Sequence, residues 1–436
     1  MAEAQRPVIV GAAQVIQRSE DWSDPAEVLG PIELMTQAVR DAAADAGAPG
    51  LLNKADWIAV VGGFWSYQDP GRLVAAAIDA PGARTALAAI SGSAPQDLVG
   101  IAAERVARGE IDVAVVVGGE AGAARKKLRA LDVERAWNTD AGAGTPESIG
   151  AFEPEMIEEM RVLGVAATAY ALLDDSLRIH TGTSMDDHRN EISELWERFS
   201  QVAARNPYAW DRTPRTAAEI REATPDNRMI SFPYTKAHVA NNTVDMSSAV
   251  IITSVATAEA AGIAEDRFVY PHVSTSSHET WQVVHRNLLH ETPALAAAGG
   301  AAMEYAGVTP ETVDHVDLYA CFPAIVRMSA AALGFDLTRE LTVTGGLGFA
   351  GAPVSNSSGQ AIAAMVPLLR NGGWGFVHAN GGNATKHGFG VYSAEPPNKP
   401  FARIEAQPSD LRSRPGVGPD WDGGGDVEAA TVVFDR

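Results

Sequence analysis

The turn Ser91-Gly92-Ser93 lies between a small-residue run and the helix-forming stretch 95–109. Backbone N–H groups at a helix start favour negative charge, so Ser91 there could act as a nucleophile beside a stabilised oxyanion. The competing reading makes Ser93 a plain helix N-cap. A hydroxyl attacks a carbonyl only when a positioned base takes its proton. Tyr319 and Cys321 in DLYACF and His378 in HANGG supply the acid/base or oxyanion groups to consider. Cys321 reads equally well as a small buried hydrophobe. Arg125, Lys126, Lys127 and Arg129 form the densest positive charge of the chain, suited to a ligand phosphate or to a solvated helix face. His278, His285 and His290 are spaced for neither a His-x-x-x-His pair nor a zinc signature, so no metal is expected. The glycines of GGLGFAG and ANGGNATKHGFG do not make a dinucleotide fingerprint.

These residues belong to a chain of 436, long enough for two or three domains. Its net charge of −21 argues against a nucleic-acid groove, which needs clustered positive charge. At 46% hydrophobic and 20% charged it is globular. One cysteine excludes an intrachain disulfide framework and any cysteine-based zinc or iron–sulfur site. No uninterrupted apolar run is long enough for a membrane span, and the start is unlike a secretory signal, so a cytoplasmic protein is expected.

The elements alternate. Residues 7–14, 55–65 and 111–120 read as strands, with helices over 31–47 and 95–109 between them. The pattern returns late, with a helix at 293–307, a strand at 312–322, a helix at 359–373 and a strand at 374–382. Asp56 and Asp314, Arg108 and Arg370, and Gly118 and Gly381 are 258, 262 and 263 residues apart, which points to an internal duplication. Alternating strands and helices predict an α/β fold with a buried, mainly parallel sheet. The organisation expected is an N-terminal half over 1–120, an inserted cap over 121–235, a return over 236–265 and a second half over 266–396. Residues 397–436 read as a linker and a strand, VEAATVVFDR, that either pairs back onto the body or begins a truncated β module; the truncated module is the expectation.

The small-residue turn, the helix ending in Arg-Gly and DVAVVVGGE resemble the first half of the thiolase superfamily. The stretch 180–210 is similar to the loop domain of sterol-carrier-protein-type thiolases. The blocks NNTVDMSSAV, DLYACFPAIV, TGGLGFAGAPVSNSSGQA and HANGGNATKHGFG follow in the family's order. The chain resembles thiolase-like proteins of the acetyl-CoA acetyltransferase kind. The resemblance implies duplicated βα halves in a five-layer α/β/α/β/α body with an inserted loop domain. It also implies CoA or acyl-CoA as substrate or ligand with no permanently bound cofactor, and a homodimer, with a monomer as the alternative. Arg125, Lys126, Lys127, Arg129, Gly381 and Gly382 are the expected CoA contacts.

The catalytic carry-over departs from the family. Its nucleophilic cysteine falls on Ser91 or Gly92, its Gly-His-Pro histidine on Ala352, its loop cysteine on Ala379 and its oxyanion-holding Asn or His on Tyr319. Cys321 alone matches, at the cysteine of the HDCF motif, with His378 nearby on the last strand. Three functions stay open: acyl transfer without a cysteine nucleophile, retro-aldol cleavage of an acyl-CoA through Tyr319 with an OB-fold module or partner, and non-catalytic binding of CoA thioesters.

Overall fold

The computed structural model describes residues 3–135, 137, 144–414 and 422–435. β1 (Pro7–Ile16) opens the chain and α1 (Pro31–Asp45) follows. Pro31 starts α1 because its missing N–H would have no helical partner there. The Glu33 carboxylate accepts the Gly30 N–H at 3.1 Å and secures that end. Leu34, Met35, Ala38, Val39, Ala42 and Ala43 give α1 one buried face at helical spacing. Next come β2 (Trp57–Val60), α2 (Pro70–Ala77), β3 (Arg84–Ala88), α3 (Ala94–Ala107), β4 (Val113–Ala121), α4 (Gly122–Ala130) and β5 (Glu147–Ile149).

The inserted region holds α5 (Pro154–Leu163), α6 (Ala166–Thr181), α7 (Met185–Arg205), α8 (Ala217–Arg221) and the small hairpin β6 (Met229–Ser231) with β7 (Tyr234–Thr235). β8 (Asp245–Ser254) and α9 (Val255–Ala260) return to the first half. The second half is β9 (Tyr270–His278), α10 (Pro293–Ala306), β10 (His315–Asp317), α11 (Pro323–Leu333), α12 (Gly346–Phe349), α13 (Ser357–Leu369), β11 (Trp374–Gly381), β12 (Lys386–Ser393) and β13 (Ala402–Glu405).

The first sheet runs β1-β8-β4-β2-β3-β5 and the second β10-β11-β12-β9-β13. α1 and α2 cover the outer face of the first sheet, α3 and α13 lie between the sheets, and α10 and α11 cover the second. That is the five-layer architecture expected. β4 and β8 are buried along their whole length, which explains their continuous apolar and small-residue runs. The two halves also share a device. The Asp56 carboxylate, ahead of β2, accepts the Asp112 N–H at 2.9 Å; that of Asp314, ahead of β10, accepts the Trp374 N–H at 2.8 Å. Each aspartate pins the start of the neighbouring parallel strand, β4 or β11.

Three expectations change. The strand foreseen over 312–322 pairs only at His315–Asp317. Beyond it the Leu318 N–H turns to the Leu341 carbonyl at 2.9 Å, and the Asp317 carboxylate binds the 342–344 loop, which draws the chain out of the sheet. The strand foreseen over 55–65 narrows to β2, and beyond it Gly62 passes so close to the Ala88 carbonyl that a Cβ would overlap it. The terminal strand is not alone. Phe232 N–H reaches the Val432 carbonyl at 2.9 Å and Phe434 N–H the Ile230 carbonyl at 3.0 Å, so it satisfies the open edge of β6. β13 likewise takes part of the expected linker into the second sheet, parallel to β9.

Candidate functional site

The Ser91-Gly92-Ser93 turn joins β3 to α3 and is bolted to the other half of the molecule. Ser91 N–H donates to Ser355 Oγ at 3.1 Å, and Ser358 Oγ donates to the Gly92 carbonyl at 2.9 Å. Ser91 Oγ lies 2.9 Å from Ser93 Oγ and against Gly381, where a Cβ would overlap it. No imidazole or amine hydrogen-bonds Ser91 among the described residues. The Ser93 hydroxyl bears in turn on Asp97, one turn along α3, whose carboxyl burial pushes up to about 6, against the pull of Ser93, Lys386 and Arg403. Sequence reading missed Asp97, although Ser93 and Asp97 have the i, i+4 spacing of one helix face.

Gly92 has no room for a side chain. A Cβ there would overlap both the Asn380 carbonyl oxygen and the Tyr319 hydroxyl, with Tyr319 Cζ only 2.8 Å away. The phenol of Tyr319 therefore occupies the space a side chain at 92 would need. Burial raises its pKa, so it stays protonated at neutral pH. Cys321 is buried and its thiol is pushed up to about 12, chiefly by burial, so it carries no thiolate at neutral pH.

Asn380 and Tyr170 complete the cluster. Asn380 Nδ2 donates to Tyr170 Oη at 2.7 Å and faces Cys321 Sγ at 4.0 Å, while its Oδ1 is buried without a partner. Tyr170 Oη donates to the Gly382 carbonyl at 3.1 Å and accepts the Ala384 N–H at 2.9 Å, and its ring stacks on Phe322 at 4.4 Å. Thus α6 of the inserted region reaches into the junction of the halves. No signal in the run around Tyr170 announces it.

The structure brings Ser91, Tyr319, Cys321 and Gly381 together, but not His378. His378 Nδ1 lies 3.4 Å from Ser329 Oγ and Nε2 3.3 Å from His387 Nδ1, and its ring stacks on Phe389 at 4.5 Å. Burial lowers its pKa to about 3, so it is a neutral imidazole in the second sheet's outer core. Ala352 and Ala379 are buried and offer no acid or base. Gly382, at φ +68°, leaves room for the Met156 methyl.

The basic stretch divides. Lys127 turns inward, donating to the Ser19 and Trp22 carbonyls at 2.6 and 3.1 Å with its ammonium 3.7 Å from the Trp22 ring centre. Lys126 faces solvent, and Arg125 and Arg129 line a cavity beside α4.

No family profile and no curated protein match the chain. Among solved structures it is similar to a monomeric SCP2-thiolase-like protein type 1 from Mycobacterium smegmatis. The TM-score is 0.82 at 30% identity, covering 100% of this chain and 88% of that one. It also shares its fold with an Ltp2-ChsH2(DUF35) aldolase, at TM-score 0.67 and 16% identity over 90% of this chain and 99% of that one. The dimeric peroxisomal thiolase of Saccharomyces cerevisiae follows at TM-score 0.64 and 13% identity, over 91% and 99%.

Proposed function

This chain belongs to the thiolase superfamily, and from that premise we propose that it binds CoA thioesters without forming an acyl-enzyme. The observation that carries the reading is the crowding at Gly92, where Tyr319 and the Asn380 carbonyl fill the space of a nucleophile's side chain. Ser91, the remaining hydroxyl, leads only through Ser93 to Asp97, and a carboxylate two hydroxyls away is a weak base for it. The polar groups left at the centre donate or accept hydrogen bonds but do not attack. Calorimetry should show binding of CoA, and intact-mass analysis after incubation with acetyl-CoA should show no acyl increment. A stable adduct mapped to Ser91 would sink the reading in favour of acyl transfer.

A second reading rests on the protonated phenol of Tyr319 at the same centre. It could polarise a carbonyl during retro-aldol cleavage of an acyl-CoA, with an OB-fold module or partner alongside, and cleavage needs no acyl-enzyme. The same incubations with a β-hydroxyacyl-CoA would favour this reading only if cleavage occurs and Tyr319→Phe abolishes it.

We also read the chain as a monomer rather than a homodimer. A sheet edge is a ready pairing site for a second copy, and here β3 is covered by β5. Arg105 on α3 holds Glu147 of β5 through two bonds of 2.8 and 2.5 Å, and that grip lowers the Glu147 pKa. A three-residue strand beginning with a carboxylate is a poor edge for further pairing. Sedimentation at micromolar concentration should give one species of 45.8 kDa, and a species of twice that mass contradicts the proposal.

A further inference from the structure

Beyond the carboxyl ends of β2 and β4 the structure holds a cavity of about 530 Å³. Ligand crevices of open α/β sheets favour this side, and drug-sized ligands occupy about 300–1,000 Å³. Phe64, Trp65 and Trp137 give the cavity aromatic walls, and Leu128 adds an aliphatic one. Arg125 and Arg129, one helical turn apart on α4, place two guanidinium groups on the same lining.

The charges of the lining are not used up by the fold. The Arg129 side chain makes no hydrogen bond or ion pair among the described residues. Arg125 meets Glu120 at a long 4.0 Å and also feels the Asp245 carboxylate, and the Glu120 carboxylate is engaged by the Phe64 N–H. Burial pushes Glu120 up to about 7, so it is only partly charged at neutral pH and balances Arg125 incompletely. Arg135 is a third cation, held by the carbonyls of Pro25, Ala26 and Val28, and among the described residues Glu134 is the one acid on the lining. Phe64 keeps 56% of its surface exposed. A positively charged, aromatic-walled recess in a chain of net charge −21 is a local reversal of the molecule's field.

We propose that this cavity binds an organic anion with a flat hydrophobic body, the body against Phe64, Trp65 and Trp137 and the carboxylate or phosphate on Arg125 and Arg129. Guanidinium groups pair with such anions through two parallel hydrogen bonds and stack on flat rings, which suits both ends of the ligand. None of the cavity's residues belongs to the centre around Ser91 and Tyr319. If the anion is the nucleotide end of CoA the site rests on and deepens the thioester reading; if it is a free ring carboxylate the site stands apart from it.

Two sources share this chemistry: the nucleotide end of CoA and a free ring carboxylate. Calorimetry at low salt with 3′,5′-ADP and with 2-naphthoate, each as its own arm, separates them. At least one should bind, and binding should weaken tenfold or more in Arg129→Glu and in Phe64→Ala. Neither substitution removes a contact the fold uses, because the Arg129 side chain is unbonded and Phe64 engages Glu120 through its backbone. Binding of 3′,5′-ADP alone identifies the nucleotide, binding of 2-naphthoate alone identifies the free acid, and binding of both supports the shared chemistry. No binding at millimolar ligand, or binding indifferent to both substitutions, overturns the proposal. A protein that takes 2-naphthoate but not CoA would keep this site and lose the thioester reading.

Discussion

Asp174→Ala should destabilise the protein by about 3–5 kcal/mol at neutral pH, because removing one member of a buried charge network strands the other. Asp174 is fully buried on α6. Its Oδ2 accepts from Tyr234 Oη at 2.8 Å, and its Oδ1 faces both Arg327 Nη1 and His188 Nε2 at 3.4 Å. Arg327 would keep only His188 Nδ1 at 2.9 Å and the half-exposed Glu191 at 3.0 Å. Asp174→Leu combined with Arg327→Met should recover much of the loss, since it removes both charges and fills their space.

The pH dependence has a definite sign. Burial alone would raise the Asp174 pKa, but the bonds from His188, Arg327 and Tyr234 outweigh it and the folded value lies below 3.8. A depressed carboxylate stabilises the fold above its unfolded pKa of about 3.9, and the contribution fades as pH falls toward the folded value. The stability gap between wild type and Asp174→Ala should therefore be full at pH 7 and narrower at pH 3, read by urea unfolding at each pH. An equal gap at both would remove Asp174 as the source. The site shares the consequence. Tyr234 Oη also bonds the Tyr170 carbonyl at 3.2 Å, so the network fixes the helix that carries Tyr170 to Asn380.

The sequence made α1 and α3 legible because each has a proline in its first turn and buries residues at helical spacing. The duplication was legible because Asp56 and Asp314 do the same job for parallel strands. Tyr319 and Cys321 could be placed together because DLYACF keeps them two residues apart. Tyr170 could not be foreseen, since its role comes from α6 docking against a loop more than two hundred residues away. His378 misled for the opposite reason. It shares a face of β11 with Asn380, but the centre meets only the strand's last turns, and two residues earlier that face is already packed on Phe389. The sequence left the tail's partner open because pairing with β6 depends on where the inserted region places its hairpin.

Gly92→Ala should cost about 3 kcal/mol, at the upper end of what an added methyl does in a packed interior. The new Cβ meets two obstacles. One, the Tyr319 hydroxyl, belongs to a side chain; the other, the Asn380 carbonyl, is backbone of a strand paired there with β12. Adding Tyr319→Phe removes the hydroxyl but leaves the ring and the carbonyl, so the double variant should stay destabilised by urea unfolding. Stability within about 0.5 kcal/mol of wild type in Gly92→Ala would show that the turn yields, and would remove the main support for a centre without a nucleophile. Gly92→Cys sharpens the point. It places a thiol at one of the two positions, 91 or 92, onto which the resemblance maps the family's cysteine, yet the thiol would enter a space held by a phenol, with only the buried Ala352 and Ala379 at the positions the resemblance gives to an imidazole and a second thiol. Thiolysis of acetoacetyl-CoA by this variant should therefore remain at background. On the proposed reading, the packing around position 92 opposes an acyl-enzyme as much as the identity of residue 92 does, and a single substitution would not reverse it.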